Sequence, residues 1–373
     1  MLKINYKIGM ILIIIVVTLG LISCSNDMDD SQHYPIRIDK ETLYTINNGH
    51  RNGEGVFISL SDEQLAYVYT CFTSGSKDSS SSDICYIVSD NFNRKKWTEP
   101  KVLIKNHGMQ NIMSVSAVKL KDNSILIQYL EKNDCNNLQI VQRFSFDSLE
   151  TFTDIKYITF DGYNVVNNDR LLYFNNEIFT PISQHSCIDN KFNSKGIMKL
   201  AITNHQGNTD IIEIDTNNTT TIFQEPGIVN LDDNSKMMMW FRNSTSSIYT
   251  AISNNTGRFF TEPTEGILKI VPFSPSSIKS INKHLFIVYN KYTDLHENNI
   301  SYEKYRSPLV LAISKDGLNS IDQEYILENN TSLGYMYTSI YKDKDNILLA
   351  YMIQNKYNKF ILKITKIKGL LQK

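Results

Sequence analysis

Short apolar runs, bounded by polar turn residues, recur along most of this chain of 373 residues. Residues 125–127 (Ile-Leu-Ile) and 285–288 (Leu-Phe-Ile-Val) are two of them, and both are rich in β-branched or aromatic side chains. Runs of this length and composition between turn residues predict β-strands. No segment combines a sustained helical period with flanking helix caps. The pattern therefore predicts an all-β protein.

One unit, a polar turn followed by an apolar strand that ends in or near an aromatic residue, occurs six times. The copies cover residues 61–69, 121–129, 175–179, 232–240, 282–289 and 342–351. A supersecondary unit that recurs in this way indicates a repeat architecture. Six copies predict six repeats.

A second repeat has hairpin-turn chemistry: a Ser or Thr, a small polar residue two places on, then Gly or Asn and an aromatic residue. Its fullest copy is residues 89–97, and weaker copies start at Ser145, Thr203, Ser253 and Ser314, so that successive starts lie 50 to 61 residues apart. We expect the side-chain oxygens to bind the loop backbone, Gly or Asn to take a positive φ, and the aromatic residue to anchor the loop. This period suits one four-stranded blade, and we predict a six-bladed β-propeller.

The C-terminal run at residues 360–367 has partly alternating polarity. Such a strand can pair with strands from the N-terminal part of the chain. We expect this pairing to close the ring of blades and to remove open sheet edges.

The N-terminus has the features of a targeting segment. Lys3 and Lys7 precede an apolar core at residues 10–22, and Ser23 stands directly before Cys24. This resembles the lipobox of bacterial lipoproteins, where cleavage leaves the cysteine to carry lipid; the alternative is an ordinary secretory signal. We predict a signal peptide over residues 1–23, a lipidated Cys24 with a polar tether over residues 24–45, and the propeller over residues 46–373. The expected location is the bacterial cell envelope, lipid-anchored at the outer membrane and either periplasmic or surface-exposed.

Charge and cysteine spacing exclude some partners. The formal net charge is −1, which gives no indication of nucleic acid as a partner. Beyond Cys24 the cysteines are Cys71, Cys85, Cys135 and Cys187, and none has C-x-x-C or other zinc spacing. We therefore predict no metal site and no cofactor. Cys71 and Cys85 could form a disulfide in an oxidising compartment or remain buried thiols.

Three arginines are candidates for anion binding. Arg51 lies just before the first apolar strand, Arg242 ends the strand at residues 237–241, and Arg306 precedes Ser-Pro. A guanidinium group offers paired donors that fit a carboxylate, and three of them around one anion would be strongly selective. The alternative for each arginine alone is a surface salt bridge.

Further polar residues extend this set. Glu225 lies seventeen residues before Arg242, Tyr337 lies thirty-one after Arg306, and Asp78 lies twenty-seven after Arg51 in a Ser-rich loop. Each has a structural alternative: a turn carboxylate, a core tyrosine and a solvated loop residue. Four more residues are expected either to contact substrate at the mouth of the propeller's central channel or to have structural roles: Asp169, Arg170, Gln184 and His185.

The order and spacing of these residues resemble the exo-sialidases of glycoside hydrolase family 33. The resemblance covers nearly the whole mature chain and is closest to the bacterial lipoprotein branch. The stretches that carry it are residues 51–55, 111–116, 167–170, 224–227, 306–309 and 337–340. The resemblance implies a sialidase-like propeller and a retaining exo-α-sialidase, with sialylated glycans or related acidic sugars as partners. We further expect a monomer.

The resemblance also implies roles for the candidate residues. Arg51, Arg242 and Arg306 would bind the sugar carboxylate, whereas Tyr337 would be the nucleophile, Glu225 its base and Asp78 the general acid/base. An anionic nucleophile would be repelled by the carboxylate on the anomeric carbon, and a neutral tyrosine avoids this repulsion.

Three alternatives to sialic acid hydrolysis remain open, and one of them, a purely structural surface propeller, would leave the spacings of the arginines, the glutamate and the tyrosine unexplained. The other two are functional. The first is hydrolysis of another ulosonic acid such as Kdo, because the arginines recognise only the carboxylate. The second is a glycan-binding lipoprotein without catalysis. Ser79 follows Asp78 at a position where His is expected in related lipoproteins, and this departure bears on the assignment of Asp78 as the general acid/base.

Overall fold

The computed structural model describes residues 36–89, 93–158, 162–189, 191–232, 234–293 and 306–371. Within these residues the protein is all-β, as predicted, and contains no helix. No helix of the described part is therefore long and apolar enough to cross a membrane. The predicted signal peptide, Cys24 and the first part of the predicted tether lie outside the described residues.

The described residues form strands whose bounds follow in chain order. The first fourteen are β1 Ile36–Arg37, β2 Lys40–Ile46, β3 Asn52–Ser59, β4 Leu65–Phe72, β5 Ser82–Ser89, β6 Lys101–Ile104, β7 Asn111–Lys119, β8 Ile125–Lys132, β9 Asn137–Ser145, β10 Lys156–Ile158, β11 Gly162–Val165, β12 Leu172–Phe174, β13 Glu177–His185 and β14 Cys187–Ile188. The next are β15 Lys191–Phe192, β16 Ile197–Thr203, β17 Thr209–Glu213, β18 Phe223–Asn230, β19 Met237–Asn243, β20 Ser247–Ser253, β21 Thr264–Lys269, β22 Ser277–Ile281, β23 His284–Asn290, β24 Leu309–Ser314, β25 Gln323–Glu328, β26 Leu333–Asp343, β27 Asn346–Asn355 and β28 Phe360–Ile367.

Most of these strands pair into antiparallel meanders of four strands. The meanders are β3–β6, β7–β10, β12-β13-β16-β17, β18–β21, β22–β25 and β26-β27-β28-β2. Strand β11 joins the second and third meanders, since it pairs in parallel with β9 and antiparallel with β13. Strand β1 adds in parallel to β25, and β14 and β15 form a separate hairpin. A four-stranded unit thus recurs through the described chain.

The last meander contains both ends of the described chain. Strand β28 pairs with β27 on one side and with β2 on the other, which confirms the predicted pairing of residues 360–367 with the N-terminal part. The tether predicted over residues 24–45 is too long at its C-terminal end, because Lys40–Ile46 is a strand of this sheet. The compact unit begins at Ile36.

The core lies in successive clusters of buried side chains, several of which join neighbouring meanders. In one of them Val68 and Ile84 of the first meander pack with Ile112 and Ile127 of the second. The middle strands are buried on both faces, as in β4, where every residue is buried. This explains why many strands have continuous apolar runs instead of alternating polarity.

Three of the predicted hairpin turns, which start at Ser145, Ser253 and Ser314, share one geometry. Ser314 Oγ donates to Asp316 Oδ1 at 3.0 Å and accepts from Leu318 N at 3.1 Å, and Asp316 Oδ1 accepts from Ser320 N at 2.9 Å. The turns that start at Ser145 and Ser253 make the corresponding bonds. The copy at Thr203 differs, because Thr203 Oγ1 lies 2.9 Å from Thr209 Oγ1 and Asn204 Oδ1 accepts from Asn208 N at 3.0 Å. In the copy at residues 89–97, residues 90–92 lie outside the described part.

Two details of these turns differ from the expectation. Positive φ is taken by Gly257, but in the other two copies the same position is Leu149 or Leu318, because the local hydrogen bonds hold the backbone there without glycine. In the turn that starts at Ser253, the anchoring aromatic residue is also displaced by one position from the expected one. Phe259 is 67% exposed, whereas the next residue, Phe260, is buried in the core.

Two disulfides cross-link the described chain. Cys71–Cys85 joins the neighbouring strands β4 and β5, which resolves the alternative left open by the sequence. Cys135–Cys187 joins the turn between β8 and β9 to the hairpin β14–β15, across 52 residues of sequence. The second bond therefore fixes a hairpin that packs beside the candidate site.

Candidate active site

The candidate site is built from β-bulges in the first strand of four meanders. The pairing register shifts between Gly53 and Val56 in β3, and at corresponding places in β7, β18 and β26. One residue within each shift has a positive φ: Glu54 (51°), Ser114 (58°), Glu225 (40°) and Tyr337 (56°). Positive φ is uncommon for residues other than glycine, and a bulge redirects its side chain. All four side chains line one cavity of about 390 Å³.

The predicted arginines lie around this cavity. Arg51 and Arg242 line it together with Asp78. A second cavity of about 380 Å³ shares Arg51, Asp78 and Tyr337 with the first and adds Arg306. The three arginines, Tyr337, Glu225 and Asp78 are therefore brought together, although they are spread over almost 290 residues of sequence.

Arg51 is buried between two carboxylates. Its Nη1 donates to Asp78 Oδ1 at 2.6 Å and to Ser76 O at 3.1 Å, and its Nη2 donates to Glu54. The guanidinium lies 4.7 Å from the centre of the Phe72 ring. Burial alone would lower the pKa of Arg51, but Glu54 and Asp78 outweigh it and raise the pKa. Arg51 is therefore a fixed positive charge.

Asp78 is held in place through its backbone. Its carbonyl oxygen accepts from Asn111 Nδ2 at 2.8 Å and from Lys132 Nζ at 3.3 Å. Partial burial raises the pKa of the Asp78 carboxyl, but the charge and hydrogen bond of Arg51 lower it by more, so the pKa lies below its ordinary value. While this ion pair is formed, Asp78 is an anion at neutral pH.

Both carboxylate oxygens of Glu225 have partners. Oε1 accepts from Arg242 Nη1 at 2.5 Å, and Oε2 accepts from Asn167 Nδ2 at 2.8 Å. Burial lowers the pKa of Arg242, but Glu225 outweighs it, so the pKa is raised. These contacts fix the position of the Glu225 carboxylate beside Tyr337.

Tyr337 lies between two arginines. The Arg306 guanidinium lies 5.8 Å from the centre of the Tyr337 ring, and Arg242 lines the same cavity as the Tyr337 side chain. Burial, followed by the charge of Glu225, raises the pKa of Tyr337 to about 12. The hydroxyl is therefore protonated at neutral pH, and its use as a nucleophile requires a base.

Asp169 and Arg170 do not line either cavity of the site. Asp169 Oδ2 accepts from Ser339 Oγ at 3.0 Å and from Ile340 N at 3.1 Å, while Arg170 Nη2 donates to Ser276 O at 2.5 Å. Burial lowers the pKa of Arg170 to about 10. Asp169 therefore links the segment before β12 to β26, and Arg170 links it to a residue beside β22, contacts of the kind that the structural alternative implies.

Gln184 and His185 differ in position because neighbouring residues of a strand face opposite sides. Gln184 Oε1 accepts from Lys199 Nζ at 2.6 Å and does not line the cavity. His185 lines the cavity, with Nδ1 3.0 Å from Asn193 O and Nε2 3.1 Å from Ser183 Oγ. Burial lowers the pKa of His185, although Asn193 and Glu225 act in the opposite direction.

Glu54, Ser114 and Asn167 are among the lining residues that were absent from the predicted set. Ser114 Oγ donates to Glu54 Oε2 at 2.7 Å, so the two bulge residues support each other beneath Arg51. Their position in the first strand of a repeat, equivalent to that of Glu225 and Tyr337, is the signal that could have identified them. Among the described residues, no group of three or more His, Cys, Asp or Glu could hold a metal ion.

Comparisons with known proteins agree with this fold. Residues 67–349, well over half of the chain, match the family model described as a BNR repeat-like domain. No curated protein matches the chain. Many solved structures do match, among them the following three.

A Dyadobacter fermentans protein of unknown function has a TM-score of 0.69 at 12% identity, covering 89% of this chain and 99% of that one. The intramolecular trans-sialidase from Ruminococcus gnavus has a TM-score of 0.66 at 11% identity, covering 89% and 97%. The NanB sialidase from Streptococcus pneumoniae has a TM-score of 0.65 at 12% identity, covering 88% and 70%. At these identities the likeness shows a sialidase-like fold.

Proposed function

The chain belongs to the BNR repeat-like domain family, and we propose that it is a retaining exo-α-sialidase that releases terminal sialic acid from glycans. The observation that carries this proposal is the convergence of Arg51, Arg242 and Arg306 with Tyr337 on adjoining cavities. We also propose that the six meanders are the blades of a six-bladed propeller. The recurrence of the four-stranded unit and the β2–β28 pairing support it.

In the proposed complex, the sugar carboxylate binds among the three arginines. Arg51 and Arg242 each have a buried Nε without a hydrogen-bond partner, as expected for groups that can pair with an anion. Removal of water from such a pocket strengthens the interaction between guanidinium and carboxylate. These three arginines, which form a clamp on the carboxylate, would then orient the anomeric carbon towards Tyr337.

The proposed first step is attack by Tyr337 Oη on the anomeric carbon. Its proton passes to Glu225, the bond to the leaving group breaks, and the leaving oxygen takes a proton from Asp78. Water then attacks the tyrosyl-linked sugar, Asp78 accepts a proton from the water, and Glu225 returns its proton to Tyr337. Because the anomeric carbon is displaced twice, its configuration is retained.

Asp78 must be protonated to act as the acid in this scheme. Its ion pair with Arg51 favours the anion. If the sugar carboxylate takes over Arg51, the stabilising contact is lost while burial increases, and both changes raise the pKa of Asp78. Substrate binding would thereby prepare the acid.

The same ion pair supports a second candidate, a glycan-binding protein without hydrolase activity. If Asp78 stays on Arg51 when the ligand binds, the leaving group receives no proton. Hydrolysis of another ulosonic acid is a third candidate, because the clamp recognises only the carboxylate.

Lipidation at Cys24 and a monomeric protein of the bacterial cell envelope are further proposals. Two disulfides support an oxidising compartment. Metabolic labelling with a radioactive fatty acid checks the anchor: Cys24→Ser should abolish the label, and a label that persists would exclude this residue.

The enzyme proposal is tested with the full chain and a fluorogenic α-sialoside. We expect release by the wild type and a loss of at least about a thousandfold in kcat for Tyr337→Phe. Tyr335→Phe is the matched control, since Tyr335 lies on the same strand but is buried in the core.

Absence of release, together with binding of free sialic acid that Arg306→Ala abolishes, would favour the glycan-binding candidate. If the protein neither releases nor binds sialic acid, sialic acid is excluded as the ligand. A panel of substrates that includes Kdo glycosides then tests the third candidate.

A further inference from the structure

A chain of hydrogen bonds connects a hairpin beside the cavity to the backbone of Glu225. His185 Nδ1 lies 3.0 Å from Asn193 O, His185 Nε2 lies 3.1 Å from Ser183 Oγ, and Glu225 N donates to Ser183 Oγ at 3.3 Å. A carbonyl oxygen can only accept, so His185 Nδ1 carries the proton. In the neutral ring Nε2 then accepts from the Ser183 hydroxyl, whose oxygen remains free to accept from Glu225 N.

The imidazole ring of His185 has little freedom to move. It is only 4% exposed, and the Phe192 ring lies 4.7 Å from it, centre to centre. Gly196 also packs against the ring: a Cβ added there would lie 2.5 Å from His185 Cε1, so only glycine permits this packing. Phe192 belongs to the hairpin β14–β15, which the Cys135–Cys187 disulfide ties to the second meander.

The bulge at Glu225 explains why this chain of bonds is needed. The register shift between Gln224 and Gly227 removes the Glu225 N–H from the regular ladder, and a buried N–H without a partner is costly. Ser183 Oγ supplies the missing acceptor. The same arrangement occurs at another bulge, where Ser114 N donates to Thr70 Oγ1 of the preceding meander at 3.0 Å.

We propose that Ser183 and His185 are positioning residues that hold the Glu225 bulge in its left-handed conformation, so that the Glu225 carboxylate faces Tyr337. The proposal rests on the function proposed above, in which Glu225 is the base. His185 orients the Ser183 hydroxyl, and the hydroxyl oxygen holds Glu225 N. Displacement of a catalytic group by 1 Å can cost on the order of a hundredfold in rate.

Ser183 distinguishes positioning from substrate contact. It is fully buried and does not line the cavity, so its loss can act only through its neighbours. His185 does line the cavity, so its loss could also affect substrate binding. The variants must therefore distinguish the role of Nε2, which accepts from Ser183, from the role of Nδ1. The amide of Gln can place its oxygen near the position of Nε2 and accept from Ser183, whereas the amide of Asn reaches only the position of Nδ1.

The test measures kcat and KM of the full chain on an α-sialoside. We expect Ser183→Ala to lower kcat by roughly tenfold to a hundredfold, with KM changed by less than about threefold. We expect kcat of His185→Gln to exceed that of His185→Asn by about tenfold, because only Gln retains the acceptor for Ser183.

Ser82→Ala is the matched control. Ser82 is also fully buried, and its hydroxyl donates to Ile112 O at 2.8 Å, but it has no link to Glu225. An unchanged kcat in Ser183→Ala, a loss as large in Ser82→Ala, or equal kcat in the two His185 variants would overturn the proposal.

Nitrogen-15 NMR of labelled histidine gives a readout without turnover. His185→Gln assigns the signal, and we expect a neutral ring with the proton on Nδ1 in the wild type. A proton on Nε2 would overturn the proposal even if the protein is an active sialidase. If the wild type releases no sugar, the expected tautomer would still support the hydrogen-bond chain, and the failure would lie with the proposed function.

Discussion

The bulges that line the cavity, at Glu54, Ser114, Glu225 and Tyr337, are here called inner bulges, and the hairpin turns that start at Ser145, Ser253 and Ser314 are called outer turns. Both place residues other than glycine at positive φ, but they are stabilised differently. In the outer turn that starts at Ser314, the three bonds of the shared geometry join residues at most four positions apart. In the inner bulges, Ser114 N and Glu225 N donate to hydroxyls 44 and 42 residues away.

This difference separates scaffold from site. An outer turn forms wherever a few neighbouring residues have suitable side chains, so it can recur in each repeat without reference to the remainder of the fold. At the Ser114 and Glu225 bulges, by contrast, a neighbouring meander supplies the acceptor for the backbone N–H. Of the proposed catalytic residues, Glu225 lies at such a bulge, and its position therefore depends on the assembled sheets.

The largest expected effect comes from an inner bulge. Glu225→Gln should lower kcat on an α-sialoside by about a hundredfold to ten-thousandfold, because a proposed general base becomes neutral. Asp316→Asn in an outer turn makes the same chemical change and should leave kcat as in the wild type. A comparable loss in both variants would contradict the separation of scaffold and site.

The next effect is on stability and comes from an outer turn. Ser314→Ala leaves the buried Leu318 N–H without its acceptor and should lower the free energy of unfolding by about 1–3 kcal/mol, with kcat unchanged below the unfolding temperature. Urea unfolding measures this loss. In Ser332→Ala, which removes an exposed hydroxyl, we expect a change within about 0.5 kcal/mol.

The outer turns should also differ in their response to pH. Hydrogen bonds from Ser320 lower the pKa of Asp316, and burial opposes this only in part. A carboxyl whose folded-state pKa is lowered stabilises the fold above its unfolded pKa, and this contribution disappears as the pH falls through the folded-state pKa. Asp316→Asn should therefore reduce the loss of stability in acid.

Asn255 provides the reverse experiment, because it gives the turn that starts at Ser253 an amide at the position that corresponds to Asp316. Asn255→Asp should add acid sensitivity to the unfolding temperature. An equal pH dependence of the wild type and both variants would show that these turns do not contribute to it.

The smallest expected effect concerns positive φ itself. Ser148 and Gly317 occupy the same place in two outer turns, with φ of 58° and 73°. Ser148→Gly should stabilise the protein by less than about 1 kcal/mol, because glycine adopts this conformation without strain. Gly317→Ser should destabilise it by a similar amount, since an added Cβ there would meet only Leu231, at 3.6 Å or more. Changes of the same sign would contradict this account.

The sequence by itself determined the features that rest on neighbouring residues. Apolar runs between turn residues predicted the all-β class, and the Ser and Asx spacing predicted hairpin turns whose shared bonds join residues at most four positions apart. The pairing of residues 360–367 with the N-terminal part was also correct. The resemblance to sialidases supplied the arginines, Glu225, Tyr337 and Asp78, which the structure brings together around adjoining cavities.

Only the tertiary structure decided which residues support that set. Glu54 and Ser114 lie in stretches that carry the resemblance, but it is the bulges that bring their side chains into the cavity, whereas Asp169 and Arg170 bind Ser339 and Ser276 and do not line it. The partner of Cys135 was likewise not evident across 52 residues. These features depend on groups that are distant in sequence and meet only when the meanders pack, so the physical cause of each lies in another part of the chain.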